Sequence, residues 1–294
     1  MTAIDEPYLT TRELAELLRI KERKVYDMAT NGEVPCVRVV GKLLFPRDEI
    51  RRWIDASRSG PVSPGQRVLP CTVLGSHDPL LDWALRESGS TLAAFMDGSV
   101  DGLHRLARGE GVACGTHIHE SDGWNVGTVQ NQFDNKPVVL VEFARRSRGL
   151  IVAAENPLGL TSMSSIAGHR VARRQQGAAS QQLFEYLQRE AGVAPDSLQS
   201  VTDLARTEDE LGMQVFDGRA DLAFGLASVA TRLRLGFVPQ LEERFDLLVW
   251  RQSWFEPPMQ KLLQFMAGDA FAAKAKSLGG YDISGQGTVH FNAP

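Results

Sequence analysis

Between residues 68 and 294 one pattern keeps returning: a short apolar run, a small polar turn, then a stretch with helical spacing. VLPCTVLGSHDPLLDWAL turns at Gly75-Ser76-His77-Asp78, STLAAFMDGSVDGLHRLARG at Gly98-Ser99, and VACGTHIHES at Gly115-Thr116-His117. RVARRQQGAASQQLFEYL holds a fourth turn, and DGRADLAFGLASVATRL a fifth at Gly225. Apolar runs too short for helices, alternating with longer helical patterns, predict an α/β fold with mostly parallel strands. Ligands of such folds collect beyond the carboxyl ends of the strands, which is where these turns fall.

The fourth turn carries the clearest chemistry. Leu183, Phe184, Leu187 and Ala191 mark one face of a helix, and Arg174, Gln175, Gly177 and Ser180 crowd its start. Free backbone N–H groups at a helix N-terminus, joined by polar side chains, suit an anion.

Composition bounds the function classes. Of the 294 residues, 43% are hydrophobic and 23% charged, as in an ordinary globular protein. The start MTAIDEPYLTTRELAELL lacks a basic segment before an apolar run, and no stretch has about 18 apolar residues, so a cytoplasmic protein without membrane contact is expected. Cys36, Cys71 and Cys114 lie far apart and read as free thiols. A net charge of −4 excludes a general nucleic-acid coat but leaves room for one small DNA-binding module. No nucleophile elbow, Walker loop, dinucleotide glycine pattern or HExxH motif is present. Asp217 and Asp221 read as a turn before a strand, not as an acid–base pair. His117 and His119 would share one face of a strand, but no third ligand stands at useful spacing, so no metal site is expected. Neither catalysis nor a cofactor is expected. The tryptophans at 83, 124, 250 and 254 are scattered and read as core.

A second unit precedes this one. SRSGPVSPGQ, residues 57–66, has no large apolar side chain and reads as a linker, giving domains at 1–58 and 68–294 with the linker at 59–67. Thr10 with Glu13 has the form of a capping box, followed by the apolar stripe Leu14, Leu17 and Leu18. IKERKVYDMATNG forms a second helix ending at Gly32, VPCVRVVGKLLF a hairpin turning at Gly41-Lys42, and Pro46 begins a third helix. Helix, turn, helix, hairpin and helix make a winged helix-turn-helix unit, although its acidic and basic residues nearly balance.

YLTTRELAELL, VYDMATNGEVP, VRVVGKLLFPRDEI and RRWI, over residues 8–55, resemble the excisionase-like group of MerR-related DNA-binding domains. The resemblance implies DNA contacts from Lys21, Arg23, Lys24 and Tyr26, with Arg38 and Lys42 on the wing and Arg47 nearby. Lys21-Glu22 departs from the serine or threonine common in that group, and Glu22 opposes phosphate. GSHDPLLD, GLHRLARGEGVACGTH, WNVGTV, RGLIVAAENPLGL, RRQQGAASQQLFEYL, VFDGRADLAFGL, GFVPQLEERFDLLV and LGGYDISGQG resemble the type II periplasmic-binding-protein fold, more narrowly the molybdate-type domains fused to excisionase-like units in bacterial regulators. That implies two lobes, with VVLVEFARRSRGLIVAAENP leading into the second, FVPQLEERFDLLVWR returning, and PMQKLLQFMAG packing on the first. It also places Trp124-Asn125 near the cleft. The cleft would lie between Ser76, His77, Ser99, Thr116 and His117 on one side and Arg174, Gln175, Gly177 and Ser180 on the other. Gly177-Ala178-Ala179-Ser180 stands where the group often has Gly-Ser-Gly-Thr, so backbone N–H groups carry more of the binding. The expected protein is a homodimeric or higher-order regulator binding double-stranded DNA and sensing a small anion, with molybdate or tungstate, a carboxylate or a larger anionic cofactor all open. The alternative is a cytoplasmic oxyanion- or cofactor-binding protein with no regulatory DNA binding.

Overall fold

Residues 7–56 and 69–293 are described in the structure, a computed structural model. The chain divides into two compact units, residues 1–67 and 68–294, and the linker expected at 59–67 lies outside the described residues.

The first unit begins with β1 (Tyr8–Thr10) and α1 (Thr11–Leu18). The capping box forms: the Glu13 N–H donates to Thr10 Oγ1 at 3.3 Å and the Thr10 N–H donates to Glu13 Oε2 at 2.7 Å. These bonds satisfy two donors at the helix start, which fixes where α1 begins. Next come α2 (Glu22–Thr30), β2 (Val37–Val39), β3 (Lys42–Pro46) and α3 (Arg47–Ala56). Leu9, Leu14, Val25, Ala29, Val34, Phe45 and Ile50 form the core. The sequence pattern missed β1, which pairs antiparallel with β3 and makes the wing a three-stranded sheet in the order β1-β3-β2. Three residues are too few to show a period of two, so only the partner reveals the strand. Pro46 closes β3 and α3 starts one residue later.

In the second unit β4 (Thr72–Gly75), α4 (Pro79–Glu87), β5 (Ala93–Phe95), α5 (Ser99–Ala107) and β6 (Ala113–Thr116) build lobe one. A two-strand hairpin, β7 (His119–Glu120) and β8 (Gly123–Trp124), leads to α6 (Val126–Phe133). The long strand β9 (Val138–Val152) then enters lobe two, which holds β10 (Arg170–Ala172), α7 (Ala179–Glu190), β11 (Gln199–Ser200), α8 (Glu208–Phe216), β12 (Leu222–Leu226) and α9 (Ala227–Leu233). β13 (Gly236–Trp250) returns, and α10 (Arg251–Trp254), α11 (Pro257–Met266), α12 (Asp269–Leu278), β14 (Tyr281–Asp282) and β15 (Val289–Asn292) finish on lobe one and along β9.

Within each lobe the short strands are parallel, β5-β4-β6 in one and β11-β10-β12 in the other. The long strands β9 and β13 are antiparallel to each other and to the short strands beside them. That mixture differs from the mostly parallel sheet expected, because each long strand must carry the chain across to the other lobe. Alternation along the strands sends side chains to two covered faces. Val73, Ala113, Leu247 and Val249 face α4, α11 and α12, whereas Leu74, Cys114 and Leu248 face α5 and α6. Lobe two repeats this, with Leu150, Val152, Leu222 and Phe224 against α7 and Ile151 and Ala223 against α8 and α9. Gly225 lies inside β12 and is not a turn; a Cβ there would come within 2.7 Å of Ile151 Cδ1, so the position needs glycine for its close packing. Among the described residues no helix is long and apolar enough to cross a membrane.

Candidate anion cleft and nucleic-acid interface

In the first unit the buried Val25 and Ala29 fix the inner face of α2, and the helical period turns Arg23, Lys24 and Tyr26 to solvent. Lys21 is the N-cap residue and is exposed, beside the equally exposed Glu22. Arg38 and Lys42 are exposed on β2 and β3, on either side of the wing tip Val40-Gly41. Both tip residues have positive φ, 49° and 77°, the pairing that closes a two-residue type I′ hairpin. Arg47 is half-buried at the start of α3, where its charge helps hold the Glu13 carboxyl below its ordinary range; the bonds from Thr10 are the larger cause. The unit thus offers one basic helix face and one basic hairpin tip, the two elements with which winged helix-turn-helix proteins read a groove and touch backbone phosphate.

In the second unit the lobes touch around the starts of two helices. Gly98 is the N-cap residue of α5, and a Cβ on it would stand 3.7 Å from the Gly177 carbonyl, one residue before the N-cap of α7. Neither helix has a side-chain cap. Two helix starts, each a positive dipole end, therefore lie close together, although the N-cap N–H groups of Gly98 and Ala178 already donate to the Gly75 and Gln175 carbonyls. The Ser76 and Ser99 hydroxyls lie 2.8 Å apart beside it, and the His117 N–H donates to Ser99 Oγ at 3.2 Å. His77 is half-buried, and its Nδ1 is buried without a partner. Gly177 is exposed, Gln175 is half-buried and Ser180 is buried in the first turn of α7. Thr116 lies elsewhere: it ends β6, and its hydroxyl donates to the buried Asn125 Oδ1 at 3.1 Å. Asn125 also donates to Asp246 at 2.8 Å, so the pair braces the floor of lobe one.

Arg174 is buried and already occupied. Its guanidinium donates to Glu208 at 3.2 Å and to the carbonyls of Ala205 and Arg206 at 3.1 and 2.8 Å. Burial pulls its pKa below the ordinary arginine value, with Glu208 opposing. Arg174 ends a chain of charges that sequence reasoning missed. Glu208 also pairs with Arg148 at 3.0 Å, Arg148 with Glu243 at 2.8 Å, Glu243 with Arg146, and Arg146 with Asp78 at 2.8 Å. The chain runs from the α7 loop through the middle of β9 and β13 to Asp78, the N-cap of α4. Tyr281 donates to Asp78 at 2.7 Å, and its phenol is held neutral by burial and by that carboxylate, which raise its pKa well above the usual value. Burial works against the Glu243 charge, but Arg146 and Arg148 outweigh it, and its pKa falls well below 4.5. Glu208 is lowered in the same way by Arg148 and Arg174. His117 Nδ1 lies 3.0 Å from Glu243, and burial lowers the ring's pKa while Glu243 opposes. The legible signal was Arg146 and Arg148 two apart in a strand with long apolar runs on either side, since cations on one buried face demand buried carboxylates.

His119 parts company with His117. Its ring centroid lies 4.9 Å from that of Tyr186 on α7, in a tilted contact, and 5.2 Å from that of Trp124, edge to face; Trp124 packs against the core of lobe two. Among the described residues no group of three metal-ligating side chains occurs.

With two α/β lobes joined by two long strands, the fold has clear relatives. The PBP superfamily domain matches residues 83–267. The chain belongs to the PBP superfamily. A helix-turn-helix domain matches residues 8–58, so this PBP-superfamily chain is a DNA-binding unit fused to a sensor-type domain. The uncharacterized protein YvgK of Bacillus subtilis is 21% identical over 95% of this chain and 96% of its own. A Clostridium perfringens structure described as a phosphate ABC transporter substrate-binding protein with bound phosphate superimposes with a TM-score of 0.53 at 12% identity, covering 70% of this chain and 96% of that one. The sulfate-binding protein SubI of Mycobacterium tuberculosis gives 0.50 at 12% identity, over 71% and 85%. These two likenesses concern the fold of the second unit.

Proposed function

We propose that this chain is a cytoplasmic transcriptional regulator, not an enzyme, whose two-lobed unit senses a small anion and thereby alters how paired helix-turn-helix units sit on an operator. The observation that carries the reading is the meeting of two uncapped helix starts, α5 and α7, where the lobes touch at Gly98 and Gly177. Converging N–H groups and the Ser76 and Ser99 hydroxyls suit a tetrahedral anion. Arg174 serves as a braced wall of this site, because Glu208 already balances its charge. The two solved relatives named above are described with phosphate and as sulfate-binding, and molybdate and tungstate are larger tetrahedra of the same kind. An effector acts only through different affinity for two states of the protein, so opening or closing of the lobes is the step that must reach the DNA-binding unit. Two half-sites on DNA call for a homodimer or a higher oligomer.

Thermal unfolding of the ligand-free protein against molybdate, tungstate, sulfate, phosphate and small carboxylates tests the reading. A specific ligand at 100 times its Kd adds roughly 2.7 kcal/mol of stability, seen as a raised midpoint. Stabilisation by molybdate and tungstate alone identifies an oxyanion sensor of that class, and no response to any anion contradicts the anion cleft.

A further inference from the structure

Along α7, Ala179, Gln182, Leu183 and Tyr186 fall at i, i+3, i+4 and i+7 and form one stripe. This stripe and His119 of lobe one line a cavity of about 110 Å3. Most of its wall is a methyl group, an isobutyl group and two rings, and Gln182 adds one exposed amide. Tyr186 is 39% exposed and His119 is exposed, so both rings keep open surface although they already touch across the lobes. Behind His119, Trp124 stands edge-on and holds the ring in place. The volume is smaller than the roughly 150 Å3 enclosed apolar cavity that takes a benzene ring, but this cavity is open to solvent on one side.

Position gives this cavity its meaning. Ala179 is the first residue of α7, so the cavity begins where the helix offers its free N–H groups and runs one turn along. A ligand with its charge at the α7 start would reach this cavity past Ala179, the residue the two places share. We infer that the cleft takes an anionic head carrying one planar aromatic or heteroaromatic ring, the ring lying against the open surfaces of His119 and Tyr186 with Gln182 at its edge, while an inorganic oxyanion fills the head position only. The inference rests on the anion reading of the cleft. Its chemistry is that of ring faces and edges, which attract a flat ring beyond plain burial, and of an amide that can donate to or accept from a ring substituent.

Calorimetric titration of the full chain with probes that share a head tests this: inorganic phosphate against phenyl phosphate, and acetate against benzoate. In the pair whose head binds, the ring-bearing probe is expected to bind about tenfold more tightly, the advantage of one stacked ring. Tyr186→Ala should erase that advantage and leave the ring-free probe unchanged, and Tyr186→Phe should keep it. Both affected side chains are exposed, so the fold should survive, as a melt of each variant would show. Equal affinity within the pair, or an advantage untouched by Tyr186→Ala and His119→Ala, overturns the ring site while leaving the anion cleft standing. Failure of all four probes and of molybdate to bind overturns the cleft and the ring site together.

Discussion

Glu243 is the point where the buried charges of the two crossing strands meet. It is fully buried and faces Arg146, Arg148 and His117 in the stretch of β13 and β9 that joins the lobes. Removing one partner from a buried ion pair leaves an uncompensated charge, which costs about 3–5 kcal/mol. Glu243→Gln should therefore lower the unfolding free energy of the second unit by about that much in a denaturant titration; a loss below about 1 kcal/mol would show that the charge chain is ornamental. The same group fixes a pH response. Glu243 and Glu208 have folded pKa values below 4.5, so their contribution is present above that value and is lost as pH falls through the lowered values. His117 is also lowered, from 6.5, because burial disfavours its charged form. The unfolded chain then takes up a proton first as pH falls below 6.5, and stability drops. Melting temperatures between about pH 7 and 5 should fall in the native chain, and His117→Gln should flatten that part of the curve. An unchanged slope in the variant would remove His117 from the account.

Two elements of the first unit make separate predictions. The wing tip places Val40 at φ 49° with 97% of its surface exposed. A left-handed conformation costs an L-residue roughly 1–2 kcal/mol, and Asn-Gly is the pair such turns favour. Val40→Asn should thus raise the melting point of the helix-turn-helix unit, and a lower one would contradict the turn geometry. On α2, the exposed Arg23 and Lys24 are the cations offered to phosphate. Replacing both with alanine should reduce the slope of log K against log salt by about 2, close to one for each phosphate no longer neutralised. An unchanged slope would move the DNA face off this helix. These elements also show what a sequence can reveal. Thr10 with Glu13 announced the start of α1, because capping acts over three or four residues. β1 stayed hidden because a three-residue strand exists only through its partner β3. Thr116 stood in a polar turn by sequence, but its hydroxyl turns into lobe one toward Asn125, a choice that depends on a residue nine positions away. The charge chain was harder still, since Arg146 meets Asp78 and Glu243 only after both lobes are built.

At the scale of the molecule, β9 and β13 carry the chain across and back, and the charge chain lies on that crossing. A motion that separates Gly98 from Gly177 would also part His119 from Tyr186, whose rings touch across the lobes. Packed interfaces of this kind favour discrete arrangements over gradual ones. Two such arrangements, biased by an anion, are what a sensor fused to a DNA-binding unit requires. The order of strands, turns and helices was readable because each βα step is local, whereas the ligand's identity depends on a few atoms at the joint between lobes. The most direct measurement is the affinity of the full chain for duplexes it enriches from a random pool, taken with and without an anion shown by calorimetry to bind. The account predicts a recurring enriched sequence and an affinity that changes at least about fivefold when the anion is added. No enrichment, or an affinity the bound anion leaves unchanged, would contradict it.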